Sequence, residues 1–252
     1  MTINFTRIFQ DSWHFVQNQK NSILVLFLLQ FIAVLGTDLA LSAVLPADAL
    51  VSNNNGLPKF NFTLDFALVA MLRQLLFLFV AAFSLMTIHQ ISVGQFSRFA
   101  QSASQTLKRF AGLLIVDLVI TLPILIGAME VLVASQQGSA PSLLSLIAML
   151  VGIFFFVRLC LAPLHYLTQP VSAMAAIRQT WAAGIKRSLP LVIYAALIYF
   201  VQPLLESQLS VLAGNFIFDL IFIALSSALN VYLLVVSYRF YSLFMLESAK
   251  AQ

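Results

Sequence analysis

Residues 172–188 read SAMAAIRQTWAAGIKRS, and residues 189–212 continue directly as LPLVIYAALIYFVQPLLESQLSVL. Apolar side chains in the first stretch recur at three- and four-residue steps, which places them on one face of a helix: Met174, Ile177, Trp181 and Ile185. Basic and amide side chains fall toward the other side of that helix: Arg178, Gln179, Lys186 and Arg187. Such a helix is expected to lie in the membrane interface. The second stretch is long and apolar enough to cross a bilayer.

The composition of the whole chain is that of a membrane protein. Of its 252 residues, 61% are hydrophobic and only 9% are charged, whereas a soluble domain carries about 25% charged residues. Cys160 is the only cysteine, which excludes an intrachain disulfide and a cysteine-based zinc site. The net charge of +4 is explained by the position of the basic residues along the chain, so we do not expect nucleic-acid binding.

Six apolar runs occupy residues 22–45, 64–91, 110–132, 143–166, 189–212 and 216–240. A helical span needs about 20 such residues, and the runs lack the alternating polarity of barrel strands. The first run is too long for a cleaved signal and is interpreted as an uncleaved span. The sequence therefore predicts an all-α, polytopic membrane bundle of six transmembrane helices.

The chain is further predicted to be one integral membrane domain, residues 1–252, built from three tandem units. Each unit is an amphipathic interfacial helix followed by two spans. The first unit has its helix in residues 1–21 and its spans in 22–91. The second unit occupies residues 94–166, the third occupies 172–240, and a cytoplasmic tail, 241–252, follows. The second and third units align without a gap, Phe96, Phe99, Ala103, Leu107, Lys108 and Arg109 standing opposite Met174, Ile177, Trp181, Ile185, Lys186 and Arg187. The alternative to internal duplication is that any interfacial helix gives this pattern.

The orientation follows from lysine and arginine, which are enriched in cytoplasmic segments. If the amino terminus is inside, nearly all basic residues outside the spans are inside too, and only Lys59 lies in an outer loop. We therefore expect both termini in the cytoplasm. Interfacial contacts to lipid, including anionic phospholipid, are predicted for nine residues: Trp13, Lys20, Arg98, Lys108, Arg109, Arg178, Trp181, Lys186 and Arg187.

Local motifs also suggest a family. The run RQTWAA at 178–183 before Leu189-Pro190-Leu191, together with the length and the six spans, resembles the YciC-like inner-membrane proteins of gamma-proteobacteria. Asn18-Gln19 before Ile23-Leu24-Val25, and Ala162-Pro163-Leu164, are similar too. The resemblance extends over essentially the whole chain. It implies an inner-membrane location and a part in envelope or membrane-lipid homeostasis, and it supplies no catalytic residues.

Two acid–base pairs lie at matching depths within spans: Asp117 with Arg158 toward the cytoplasm, and Asp38 with Arg73 toward the outside. An ionised group at mid-membrane costs about 2.5–3.5 kcal/mol on insertion scales, so such residues are expected to pair inside the bundle. We predict both ion pairs. They would either hold helices together, with snorkelling to the interface as a further option, or line a path for a solute or ion.

Other polar and small residues in the spans give weaker signals. His89 and His165 are expected to form hydrogen bonds, because a metal site would need further convergent ligands. Gly112, Gly127 and Gly152 would permit close helix contact. The sequence carries no phosphate-binding loop, zinc motif or nucleophile elbow, so no catalytic, cofactor-binding or metal-binding residue is predicted.

Three function classes remain open. We favour a non-enzymatic protein that organises or senses the bilayer through basic helices on the cytoplasmic leaflet. The alternative is a transporter of a small solute, ion or lipid that uses the Asp/Arg pairs, and a membrane-embedded enzyme is the least favoured class. Other inner-membrane proteins are candidate partners, and the oligomeric state is not readable from the sequence.

Overall fold

The computed structural model of the protein describes residues 3–44, 51–52, 58–59, 64–136, 138–185, 187–210 and 215–250. Ten α-helices are present in these residues: α1 Phe5–Asn18, α2 Lys20–Val44, α3 Leu64–Val93, α4 Phe99–Gln136, α5 Leu143–Leu159, α6 Ala162–Thr168, α7 Ala173–Gly184, α8 Ser188–Ala196, α9 Gln202–Ser210 and α10 Phe216–Lys250. The π-helical turn Leu197–Val201 joins α8 to α9. A two-residue strand, β1 (Val51–Ser52), pairs antiparallel with β2 (Pro58–Lys59).

Six segments of the described chain are long and apolar enough to cross a membrane: Lys20–Val44, Leu64–Val93, Phe99–Ser135, Leu143–Thr168, Ser188–Gln208 and Phe216–Met245. They contain the six predicted runs almost completely, which confirms the all-α, six-span fold. Helix α1 packs on the last part of α10, where the rings of Phe5 and Phe240 stack 5.6 Å apart. We call this end of the bundle the basic end because most arginine and lysine residues lie there.

A helix is present in the amino-terminal segment, as predicted. The Asn4 side chain caps its first turn by accepting a hydrogen bond from the backbone N–H of Arg7 at 3.3 Å. Ile8, Ser12 and Phe15 are the buried residues of α1, since α1 packs against α10. Trp13 is 54% exposed.

The separate interfacial helix predicted before the third span is absent from the structure. Instead α4 runs unbroken for 38 residues, about 57 Å at 1.5 Å per residue. No glycine or proline lies between Phe99 and Phe110, so nothing in that stretch ends the helix. The third unit does have a separate helix, since α7 ends at Gly184 and α8 begins at Ser188.

Prolines shape the fourth and fifth spans. The fourth span is interrupted between α5 and α6, and Pro163 stands in the first turn of α6, where its missing N–H costs little. In the fifth span the π-helical turn ends two residues before Pro203. A proline clashes with the carbonyl of the residue four positions earlier, and a wider π turn at that place relieves the clash.

Helices α4 and α5 approach each other closely at two glycines, as expected from their size. A Cβ atom on Gly152 would lie 2.7 Å from Ile124 Cγ1 and 2.8 Å from the Ile124 backbone nitrogen. A Cβ on Gly127 would lie 2.6 Å from Met149 Cγ and 2.9 Å from the Ser145 carbonyl oxygen. The two helices can therefore take this spacing only with glycine at both positions.

The parts of the chain predicted as three units contact one another in a cyclic order. Helix α3 packs on α4, α5 and α6 pack on α7, and α10 packs back on α1 and α2. A small hydroxyl residue is almost fully buried in α1, in the first part of α4 and in α7: Ser12, Ser102 and Thr180. The internal duplication itself stays a prediction.

Candidate functional site

Histidine–tyrosine contacts join the second spans of the units near the basic end. His89 Nδ1 lies 3.1 Å from the hydroxyl of Tyr238, and His165 Nδ1 lies 2.8 Å from the hydroxyl of Tyr241. The Nε2 atom of His165 lies 2.5 Å from Oε1 of Gln179 on α7. Both histidines therefore form hydrogen bonds between helices, as predicted.

The predicted Asp117–Arg158 ion pair is wrong. The Arg158 guanidinium donates from Nη1 to the carbonyl oxygen of Gly184, the last residue of α7, and lies 5.1 Å from the ring centre of Trp181. No ion pair between Asp117 and Arg158 occurs in the described part of the chain. The carbonyl end of a helix attracts a cation, and α7 presents its carbonyl end beside the last turn of α5.

Two arginines predicted to contact lipid bind the protein's own backbone instead. Arg109 Nη2 donates to the Val171 carbonyl at 3.0 Å, and its guanidinium lies 4.6 Å from the ring centre of Tyr166. Arg187 Nη1 donates to the Phe244 carbonyl at 3.0 Å, and the same Phe244 ring lies under its guanidinium. Val171 lies between α6 and α7, and Phe244 lies inside α10, where a backbone carbonyl can accept a second hydrogen bond. These two arginines therefore stabilise the bundle.

The other predicted pair is formed. Arg73 Nη2 lies 2.8 Å from Asp38 Oδ1, and the two side chains remain 32% and 40% exposed. The pair joins α2 to α3 toward the end of the bundle opposite the basic end. It stabilises the contact of these helices, and its partial exposure differs from the predicted interior position.

Four cations of the predicted lipid-contact set are exposed at the basic end: Lys20, Arg98, Lys108 and Arg178. Trp181 is half-buried between Arg158 and the ring of Phe155, 5.3 Å away, so it acts mainly as a packing residue. Trp13 is exposed and touches the ring of Tyr232 edge-on. Lys186 lies outside the described residues.

Two hollows lie on opposite sides of α1. The first, about 300 Å³, is almost entirely apolar and lies between α1, α2 and α10, with Trp13, Lys20, Phe27 and Tyr232 in its lining. The second, about 430 Å³, is mostly polar and lies between α1, the end of α3 and α10. Helix α1 therefore separates an apolar hollow from a polar one.

Sequence reasoning missed two amide networks. Asn230 donates to Glu206 Oε1 at 3.0 Å, and Gln202 donates to Asn230 Oδ1 at 2.6 Å. At the basic end, Ser102 donates to Gln90, which in turn donates to Gln105. An asparagine inside the sixth apolar run was the available signal, because such a group must find partners in lipid. Among the described residues, no three histidine, cysteine or acidic residues lie together as a metal site would require.

Six apolar helices with polar contacts gathered between them define a multi-pass α-helical membrane protein. The chain is 40% identical, over 247 residues, to a protein of Haemophilus influenzae that is described as an uncharacterised protein. The alignment covers 97% of this chain and 99% of that relative, so the chain belongs to the same family. No protein-family model matches the sequence. No solved structure matches it either.

Proposed function

We propose that this is a YciC-like inner-membrane protein, non-enzymatic, that binds anionic lipid of the cytoplasmic leaflet and takes part in membrane-lipid homeostasis. Both termini would then lie in the cytoplasm. The observation that carries the proposal is the different use of the basic residues: Arg109, Arg158 and Arg187 bind backbone carbonyls, whereas Lys20, Arg98, Lys108 and Arg178 remain exposed at the same end.

Electrostatics gives these four cations a lipid partner. Each lysine or arginine near an anionic leaflet contributes about 1 kcal/mol of attraction, so four of them would bias the lipids around the bundle. Lys20 also stands at the apolar hollow beside α1, with Trp13 next to it. An acyl chain in that hollow would place its phosphate within reach of the Lys20 ammonium.

Lipid selection can be measured directly. The full chain is extracted in mild detergent, and the phospholipids that remain bound are quantified by mass spectrometry. Replacing Lys20, Arg98, Lys108 and Arg178 together by glutamine is expected to remove the enrichment of anionic lipid. Lys59→Gln, a charge change in the predicted outer loop, is the matched control and should leave it unchanged. Equal anionic enrichment in wild type and the fourfold variant would refute the proposal.

The orientation has its own test. Asn54, outside the described residues, is replaced by cysteine in a Cys160→Ser background and treated with an impermeant thiol reagent. Labelling of intact spheroplasts is expected. Protection in spheroplasts together with labelling after lysis would place this loop inside and invert the proposed orientation.

Transport of a small solute or ion is the second candidate function. It is favoured by the hydrogen-bond network of Gln202, Glu206 and Asn230 between the fifth and sixth spans. Gln202 directly follows the π-helical turn, and π turns are frequent at functional sites. Flux into proteoliposomes that is lost in Glu206→Gln and kept in the exposed-surface variant Ser207→Ala would support transport over lipid organisation.

A further inference from the structure

The polar hollow at the basic end is lined by polar and charged side chains from three helices. It lies on the side of α1 away from the apolar hollow, and its volume is about 430 Å³. Six polar or charged side chains line it: Arg239 from α10, Ser92 from α3, and Asp11, His14, Asn18 and Gln19 from α1 and the residue after it. Three separate elements therefore converge on one polar space.

Arg239 is the unusual member of this lining. Its Nε atom is buried and has no hydrogen-bond partner within the described residues, and its guanidinium lies 5.2 Å from the ring centre of Phe15. A buried donor left unsatisfied is costly, and native proteins rarely keep one without a reason. The Arg158 Nε is also buried without a partner, but Arg109, Arg158 and Arg187 each donate from another guanidinium nitrogen to a backbone carbonyl. The Arg239 guanidinium donates to no group among the described residues.

We infer that this hollow binds a phosphodiester, with Arg239 as the principal ligand of its phosphate. A guanidinium matches phosphate oxygens in geometry and charge. The amides of Asn18 and Gln19 and the hydroxyl of Ser92 supply neutral donors around it. Asp11 is the one carboxylate of the lining, and it also lies 3.9 Å from Arg7. A site with one positive charge, on Arg239, and one negative charge, on Asp11, favours a singly charged phosphodiester over a doubly charged phosphomonoester.

The site is distinct from the exposed cations of the proposed function and stands without them. A phosphodiester reaches the hollow either as the head group of a phospholipid or as a soluble glycerophosphodiester. Both ligands carry the same phosphodiester group. They can be distinguished experimentally, because a phospholipid stays bound through mild extraction and a soluble diester does not.

The test uses the full chain in detergent with two measurements. Delipidated protein is titrated with glycerophosphoethanolamine and, separately, with inorganic phosphate, and phospholipid retained through a mild extraction is counted by native mass spectrometry. Saturable binding of the diester, at least about tenfold tighter than inorganic phosphate, is expected. Arg239→Gln should weaken it about tenfold or more, because charge-assisted hydrogen bonds are lost. Lys59→Gln, the charge change in the predicted outer loop, is the matched control and should bind as wild type.

Each result either supports the inference and identifies the ligand source or overturns the inference. Loss of retained lipid in Arg239→Gln identifies a lipid as the source, whereas unchanged lipid with weakened titration identifies a soluble diester. If Arg239→Gln fails to fold, the rim variants Asn18→Leu and Ser92→Ala replace it, with an expected weakening of about threefold or more in each. No saturable binding by wild type, equal binding by the available variants, or preference for inorganic phosphate would overturn the inference. Loss of anionic-lipid enrichment in the fourfold variant, with diester binding kept, would show that the two sites are independent.

Discussion

The unfolding free energies of variants at Asp117 and Arg158, changed singly and together, distinguish the observed contacts of Arg158 from the ion pair predicted from the sequence. In the structure, Arg158→Gln removes a charge-assisted hydrogen bond to the Gly184 carbonyl and the stacking on Trp181. A hydrogen bond from a charged group contributes about 1.5–3 kcal/mol and a cation–π contact about 0.5–2 kcal/mol. Part of this sum is offset because a buried guanidinium also has a desolvation cost. We therefore expect a loss of about 2–3 kcal/mol in the free energy of unfolding.

Asp117→Asn should behave differently. Since no cation lies within ion-pair distance of Asp117 among the described residues, its replacement should change the free energy of unfolding by less than about 1 kcal/mol. The double variant should then lose the sum of the two single effects, within about 0.5 kcal/mol.

The assay is equilibrium unfolding in mixed micelles with increasing dodecyl sulfate, followed by circular dichroism. Asp38→Asn and Arg73→Gln form the control cycle, for which a coupling of about 0.5–1 kcal/mol is expected because the pair is formed and partly exposed. A true Asp117–Arg158 pair would make Asp117→Asn cost about 3–5 kcal/mol. In that case the double variant would regain stability, and this result would refute the assignment of Arg158 to the end of α7.

Three other changes test the packing. Gly152→Ala should lower the free energy of unfolding by about 1–3 kcal/mol, since the new Cβ meets the backbone of α4. The control Gly36→Ala should be neutral or stabilising, because no atom lies within 4 Å of its new Cβ. Equal effects of the two substitutions would contradict the close approach of α4 and α5. Asn230→Leu should lower stability by about 1–3 kcal/mol because Glu206 loses a donor, and an unchanged thermal unfolding midpoint would count against that network. Tyr241→Phe should cost about 1 kcal/mol and shift the imidazole NMR signals of its histidine partner; unshifted signals would exclude the contact.

Much of the fold was predictable because hydrophobic length is a local property. Five of the six spans were found within about five residues of their predicted bounds, and the third contains its predicted run but begins earlier, at Phe99. Gly127 and Gly152 were correctly expected at a close helix contact. The error concerns where a helix begins. The stretch from residue 94 to 109 was predicted to hold a separate interfacial helix on amphipathic pattern alone, whereas residues 99–109 continue without a break into the third span as α4.

The candidate site was less predictable, because charge and depth alone do not identify partners. Asp38 and Arg73 were paired correctly by depth. The same reasoning failed for Arg158, since backbone carbonyls at a helix end compete with carboxylates for a guanidinium. Arg109 and Arg187, which were predicted to contact lipid, donate to the backbone carbonyls of Val171 and Phe244.

The sequence by itself determined that the chain crosses a membrane six times, since a long apolar segment without charge has no other stable environment. It also determined which end of the bundle is basic. Only the tertiary structure decided which cations bind the protein and which stay exposed. That choice depends on where helix ends and rings meet after packing, and these neighbours are distant in the chain: Val171 for Arg109, Gly184 for Arg158 and Phe15 for Arg239.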